Sequence, residues 1–179
     1  MISVQSSPSR SLLRYTVILK NKTMTKRLNC QENVQSALKA LYPLGAYLAK
    51  SSIEERLLNL IYYRVSQLNG CSFCLDMHSK DLRAAGETEQ RLYVLDGWRE
   101  APLYSPRERA ALAWAESLTR LQGIVPDAIY EEARKQFSEQ ELIDLTLAVI
   151  TINSYNRFNL AFPNPEVVGT YEPGQFAHA

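Results

Sequence analysis

With 179 residues, 46% of them hydrophobic and 22% charged, the chain can bury one sizeable core and has the balance of a soluble globular domain. A formal net charge of +1 argues against a dedicated nucleic-acid surface, and no apolar run reaches the roughly 18 residues of a membrane span. Three cysteines are too few for a disulfide scaffold and fit a reducing compartment, so the expected location is cytoplasmic, with neither nucleic acid nor membrane as partner.

The first thirty residues differ from the rest. Arg10, Arg14, Lys20, Lys22, Lys26 and Arg27 occur there without one acidic side chain. A transit-type leader, a flexible basic tail and an extension ahead of a start at Met24 are the three readings. The third is favoured, because without residues 1–23 the remainder becomes mildly acidic, as suits a soluble enzyme. The expected layout is an extension over 1–23, a domain over 24–165 and a tail over 166–179. Cys30, at the junction, is read as a passive thiol, and His178 as an inert tail residue.

Glu32 to Lys50 has helical spacing in Val34, Leu38, Leu41, Leu44 and Leu48, with a kink or break expected at Tyr42 because Pro43 follows. Ser51-x-x-Glu54 and Ser52-x-x-Glu55 each fit a capping box for a helix running to Leu68, which buries Leu57, Leu58, Ile61, Val65 and Leu68. Tyr62 and Tyr63 read as core. Arg64 reads either as a subunit contact or as the partner of a carboxylate. Asn69-Gly70 stops this helix, and another is expected from about Cys71 to Ala85. Thr88 caps a helix over Glu89–Trp98, with Trp98 as a packing anchor. Ser105-Pro106-x-Glu108 opens a helix to about Leu121, Asp127–Gln136 forms a short one, and Ser138-x-x-Glu141 opens the last, to roughly Leu160. Its late polar run of Asn153, Asn156, Arg157 and Asn159 reads either as a hydrogen-bonded network between helices or subunits, or as polar support around the cysteines. No strand-like alternation persists, so the fold class is an all-α single domain of about seven helices.

The chemistry concentrates in Cys71-Ser72-Phe73-Cys74-Leu75-Asp76-Met77-His78. Both cysteines fall in the first turn of a helix, where free N–H groups and the positive dipole end favour a thiolate. The Cys-X-X-Cys arrangement lowers thiol pKa as well. Cys71, Cys74 and His78 stand at i, i+3 and i+7 on one helix face, and an imidazole four residues from a thiol can take its proton. Half of a zinc site is one alternative, but it needs further ligands, and beyond His78 only Cys30 and His178 remain. A pair of passive buried thiols is another. The combined pattern favours a redox-active dithiol.

Arg64-Val65-Ser66-Gln67-Leu68-Asn69-Gly70-Cys71-Ser72-Phe73-Cys74-Leu75-Asp76-Met77-His78-Ser79-Lys80, followed by Arg83-Ala84-Ala85-Gly86-Glu87, resembles the AhpD-like alkylhydroperoxidases of the carboxymuconolactone decarboxylase family. Trp98-Arg99-Glu100-Ala101-Pro102, Ile152-Asn153-Ser154-Tyr155-Asn156-Arg157 and the opening Met24-Thr25-Lys26-Arg27-Leu28-Asn29 resemble it too. The resemblance implies an all-helical fold assembled as a trimer or hexamer through apolar helix faces, and a dithiol that reduces peroxides and is recycled by a partner thiol or dithiol. It assigns Cys74 as the residue oxidised to sulfenic acid, Cys71 as the one that closes the disulfide, and His78 as base and proton donor, with no cofactor and no metal. The family pattern places Glu twelve residues before the first cysteine. Here that position is Asn59, which can hydrogen-bond, and so orient His78 or a water, but cannot titrate. Weakened peroxidase activity is therefore expected. The alternatives are a general thiol–disulfide oxidoreductase, lactone decarboxylation as the family name suggests, and a non-enzymatic redox-sensing or scaffold protein.

Overall fold

A computed structural model describes residues 27–28 and 35–175. The basic extension, the start at Met24, Cys30 and His178 lie outside the described residues. Eight α-helices follow in order among those described: α1 Gln35–Lys39, α2 Tyr42–Leu48, α3 Glu55–Asn69, α4 Ser72–Ala84, α5 Glu89–Tyr93, α6 Pro106–Thr119, α7 Asp127–Gln136 and α8 Glu139–Ala161. Short 3-10 turns occur at Leu95–Gly97 and Pro165–Val167. The all-α expectation holds.

The expected break near Tyr42 separates α1 from α2, and Pro43 sits in the first turn of α2, where its missing N–H costs nothing. The Ser51 and Ser52 capping boxes do not form. Glu54 takes the N-cap of α3 without a side-chain cap bond, while Ser51 Oγ donates back to Leu48 O at 2.7 Å. Arg107 holds the Glu54 carboxylate from α6 instead. The boxes at Ser105 and Ser138 do form, each with both reciprocal hydrogen bonds. The helix expected over Glu89–Trp98 ends earlier, at Tyr93, and passes through the Leu95–Gly97 turn. Trp98 thereby tucks into the core as the expected anchor. Helix α6 stops at Thr119, which leaves Leu121 exposed rather than on its apolar face.

Helix α3 is the central element and packs against α4, α6 and α8. Its Leu57, Leu58, Leu60, Ile61 and Val65 meet Ala111, Leu112 and Ala115 of α6 and Leu145, Ala148 and Val149 of α8 in one core. The small side chains of α6 allow close approach of the helix axes. Helix α8 leaves Ile143, Ile150 and Leu160 exposed.

A buried polar cluster pins the end of α3 to α6. Arg64 Nε donates to Glu116 Oε1 at 2.7 Å, Trp98 Nε1 donates to the same oxygen at 2.9 Å, and Arg99 donates to Oε2 at 2.6 Å. Burial raises the Glu116 pKa, but the bonds from Trp98, Arg99 and Arg64 more than offset it and leave the carboxyl below its usual range. Arg64 is thus the partner of a carboxylate, one of the two roles expected for it.

Residues 166–175, within the tail expected over 166–179, lie along α4. Tyr171 is buried and its hydroxyl donates to Asp81 Oδ1 at 2.8 Å. Gly169 N donates to Asp76 Oδ2 at 2.9 Å, and Lys80 Nζ donates to the carbonyls of Gly169 and Tyr171 at 3.1 and 2.9 Å. Among the described residues no helix is long and apolar enough to cross a membrane.

Candidate active site

The turn between α3 and α4 places the dithiol. Gly70 adopts a left-handed conformation, φ 70°, which a residue with a Cβ disfavours. Gly70 N then donates to Gln67 O at 3.2 Å and Cys71 N to Ser66 O at 3.1 Å, the double bond of a Schellman motif. Cys71 becomes the N-cap of α4 and Cys74 its third residue, as the sequence pattern predicts. The two cysteines stand at disulfide distance, with Cα atoms 5.4 Å apart, inside the range a disulfide needs. Both are only 1% exposed.

His78 lies one turn further along the same helix. It is 6% exposed, and neither ring nitrogen has a hydrogen-bond partner among the described residues. Burial pushes its pKa from 6.5 down to about 3, so the imidazole is neutral near pH 7. The Tyr62 ring of α3 covers it, with centroids 5.3 Å apart and planes tilted by 44°. Burial likewise raises the Tyr62 phenol pKa. Tyr62 therefore belongs to the wall of the site as well as to the core, a placement that the helical periodicity of α3 does not distinguish.

Asn59 lies half-buried on α3, three residues before Tyr62. It makes no hydrogen bond to His78, whose nitrogens are both unpaired. The polar run of α8 divides between the two roles expected for it. Asn69 Nδ2 of α3 donates to Asn153 Oδ1 at 3.0 Å and to Asn156 Oδ1 at 2.9 Å, and Asn156 Nδ2 donates to Ser66 Oγ at 3.1 Å. Arg157 closes onto Asn153 at 2.7 Å. These residues hold α8 to the end of α3, directly under the turn that carries the cysteines. Asn159 is different: its Nδ2 lies 3.4 Å from Cys74 Sγ, within hydrogen-bond range for sulfur.

A cavity of about 90 Å³ opens beside the pair, walled by Cys71, Ser72 and Phe73 on one side and by Asn159, Leu160, Pro163, Asn164, Pro165 and Val167 on the other. Cys71 lines it and Cys74 does not. Among the described residues there is no group of three or more His, Cys, Asp or Glu placed to hold a metal ion.

Residues 34–117, which carry the dithiol turn, match the model of the carboxymuconolactone decarboxylase family. The uncharacterized protein YdfG of Bacillus subtilis is 42% identical over 142 residues, covering 79% of this chain and 97% of that protein. The chain belongs to the carboxymuconolactone decarboxylase family. Within it the fold is AhpD-like. Protein ATU0492 of Agrobacterium tumefaciens, a protein of unknown function suggested to be the antioxidant defence protein AhpD, superposes with a TM-score of 0.73 at 37% identity, over 77% of this chain and 95% of that one. An uncharacterized peroxidase-related protein from Silicibacter sp. TM1040 superposes with a TM-score of 0.65 at 25% identity, over 92% and 91% of the two chains.

Proposed function

We propose that the protein is a dithiol hydroperoxidase that reduces hydrogen or alkyl peroxides. The observation that supports this reading is His78: a buried, neutral imidazole whose nitrogens are both unpaired among the described residues, one helical turn from Cys74 at the start of α4. A buried polar group is costly to leave unpaired, and such a group beside a dithiol is suited to proton transfer.

In the proposed cycle His78 takes the Cys74 proton. The thiolate attacks the terminal oxygen of the peroxide; an S–O bond forms as the O–O bond breaks, and the alkoxide leaves as alcohol with the proton returned by His78. Deprotonated Cys71 then attacks the sulfenic sulfur; the S–S bond forms and hydroxide leaves as water. Two thiols are oxidised by two electrons and one peroxide is reduced. An external thiol or dithiol restores the pair. Asn59 orients a water beside His78, and its inability to titrate slows the relay.

The test is a count of free thiols before and after one equivalent of an organic hydroperoxide, repeated with Cys74→Ser. Loss of two thiols in the wild type and no disulfide in the variant is the expected result. Thiols that stay reduced in hydroperoxide but exchange readily with glutathione disulfide would replace this reading with a general thiol–disulfide oxidoreductase, which the position of Cys71 on the cavity wall also suits.

A further inference from the structure

Among the described residues, Asn159 donates a side-chain hydrogen bond to the dithiol, and it reaches only one of the two sulfurs. It comes from the last turns of α8, far from the dithiol in sequence, and lies outside the stretch that matches the family model. Its helix neighbours Asn153 and Asn156 are spent on α3, whereas Asn159 is turned toward α4.

We propose that Asn159 is a catalytic residue that stabilises Cys74 as a thiolate and thereby fixes which S–S sulfur an incoming reductant attacks. The proposal rests on the dithiol reading above and adds to it a direction for the reductive half of the cycle. An external thiolate enters along the cavity, of which Cys71 is a wall, and attacks Cys71 Sγ. A new S–S bond forms between the reductant and Cys71, the Cys71–Cys74 bond breaks, and Cys74 leaves with the electron pair. The leaving thiolate receives the Asn159 N–H and the field of the α4 N-terminus. A second thiolate from the reductant then attacks its own sulfur in the mixed disulfide, Cys71 leaves as a thiolate and takes a proton from solvent, and the reductant departs as a disulfide. In the oxidative half the same N–H stabilises the attacking Cys74 thiolate.

Titratable groups on the surrounding elements include Cys71 and His78 on α4, Tyr62 and Tyr63 on α3, and Tyr155 and Arg157 on α8, with Arg157 held on Asn153, Asp81 of α4 on Tyr171 and Arg64 of α3 on Glu116. Asp76 and Lys80 of α4 pair with each other and with the segment after α8. None is altered by replacing Asn159, so a change in Cys74 titration in Asn159 variants reads the amide itself.

The experiment has two arms. In the first, iodoacetamide alkylation of Cys74 is followed by peptide mass spectrometry across pH in a Cys71→Ser background. Asn159→Ala is expected to raise the midpoint and slow alkylation near pH 7 by about tenfold, the worth of one hydrogen bond to a charged group. The near-isosteric Asn159→Asp, whose carboxylate repels the thiolate, is expected to slow it further, and Asn159→Gln, which keeps the amide on a half-exposed side chain, to retain most of the rate. In the second, the oxidised full-length protein is treated with glutathione, quenched in acid, and mapped for the cysteine that carries it. The adduct is expected on Cys71 in the wild type and on both cysteines in Asn159→Ala. Unchanged alkylation profiles in both Asn159→Ala and Asn159→Asp, or a wild-type adduct on Cys74, would overturn the proposal. The outcomes separate it from the peroxidase reading: shifted Cys74 titration in a protein inert to hydroperoxide removes only the peroxidase, whereas hydroperoxide oxidation with unshifted titration removes only the role of Asn159.

Discussion

The Tyr62 ring lies against the His78 ring with centroids 5.3 Å apart, closing the imidazole off from solvent between α3 and α4. Among the described residues neither His78 nitrogen has a hydrogen-bond partner, so while the thiols are neutral the folded state resists the charge that the unfolded chain accepts at pH 6.5.

The folded-state pKa of His78 is depressed, so the unfolded state binds the extra proton first. Stability is therefore full above pH 6.5 and is lost as pH falls toward about 3, at roughly 1.4 kcal/mol per pH unit within that window. Between pH 6.5 and 5 this loss precedes protonation of the carboxylates. Urea midpoints measured across that interval should fall for the wild type and stay nearly level for His78→Asn. Tyr62→Ala should admit water and raise the imidazole pKa toward 6.5, as followed by proton NMR. An equally steep slope in His78→Asn would mean that another group is responsible.

Glu116 accepts from Arg64, Trp98 and Arg99 at once. Its removal leaves the buried Arg64 guanidinium, among the described residues, with Gln67 and the exposed Asp96. Glu116→Ala should cost on the order of 3–5 kcal/mol in chemical denaturation. Glu116→Gln, which keeps an acceptor but no charge, should cost less. A loss below 1 kcal/mol in the alanine variant would show that Arg64 finds an alternative partner or reaches water.

Asn59→Glu restores a titratable group at the position where the family pattern places one. Peroxide consumption at saturating reductant should rise in this variant if the proposed relay runs past α3. An unchanged rate, with the fold intact by circular dichroism, would show that protons reach His78 by another route.

Ser105 and Ser138 each accept from the N–H three residues on, at 3.2 Å, and each box is closed by a returning Glu. Ser105→Ala and Ser138→Ala should each cost about 1 kcal/mol. The two caps lie on different helices, so the double variant should lose the sum within about 0.5 kcal/mol.

These two caps were legible in sequence because everything they need lies within four residues. The boxes at Ser51 and Ser52 have the same spelling and fail: in the first, Glu54 is drawn to Arg107 of α6 and Ser51 to the end of α2. The Arg107 contact is tertiary, 53 residues away, and has no local signature. The dithiol turn was legible for the same reason as the good caps: Gly70, Cys71, Cys74 and His78 form one continuous stretch. The roles of the α8 asparagines were not. Helical periodicity marks Asn153, Asn156 and Asn159 as polar intruders in an apolar helix, but which one faces Ser66 and Asn69 and which faces Cys74 depends on how α8 crosses α3 and α4. Arg64 shows the same limit, because its carboxylate partner lies 52 residues away.

Residues 169–174 lie along α4, where Tyr171 and Gly174 meet Asp81 and Gly169 meets Asp76. Synthesis runs from the N-terminus, so the helix that carries both cysteines leaves the ribosome well before the segment that flanks it. The wall beside Cys71, built from Asn159 to Val167, is likewise made late. Until residues 159–167 are made, the nascent chain presents its two thiols without Asn159 beside Cys74 and without the far wall of the cavity next to Cys71. If Asn159 sets which sulfur reacts, as proposed, that selectivity needs α8 in place, and a chain truncated shortly after α7 would keep the Cys-X-X-Cys motif but lose that control.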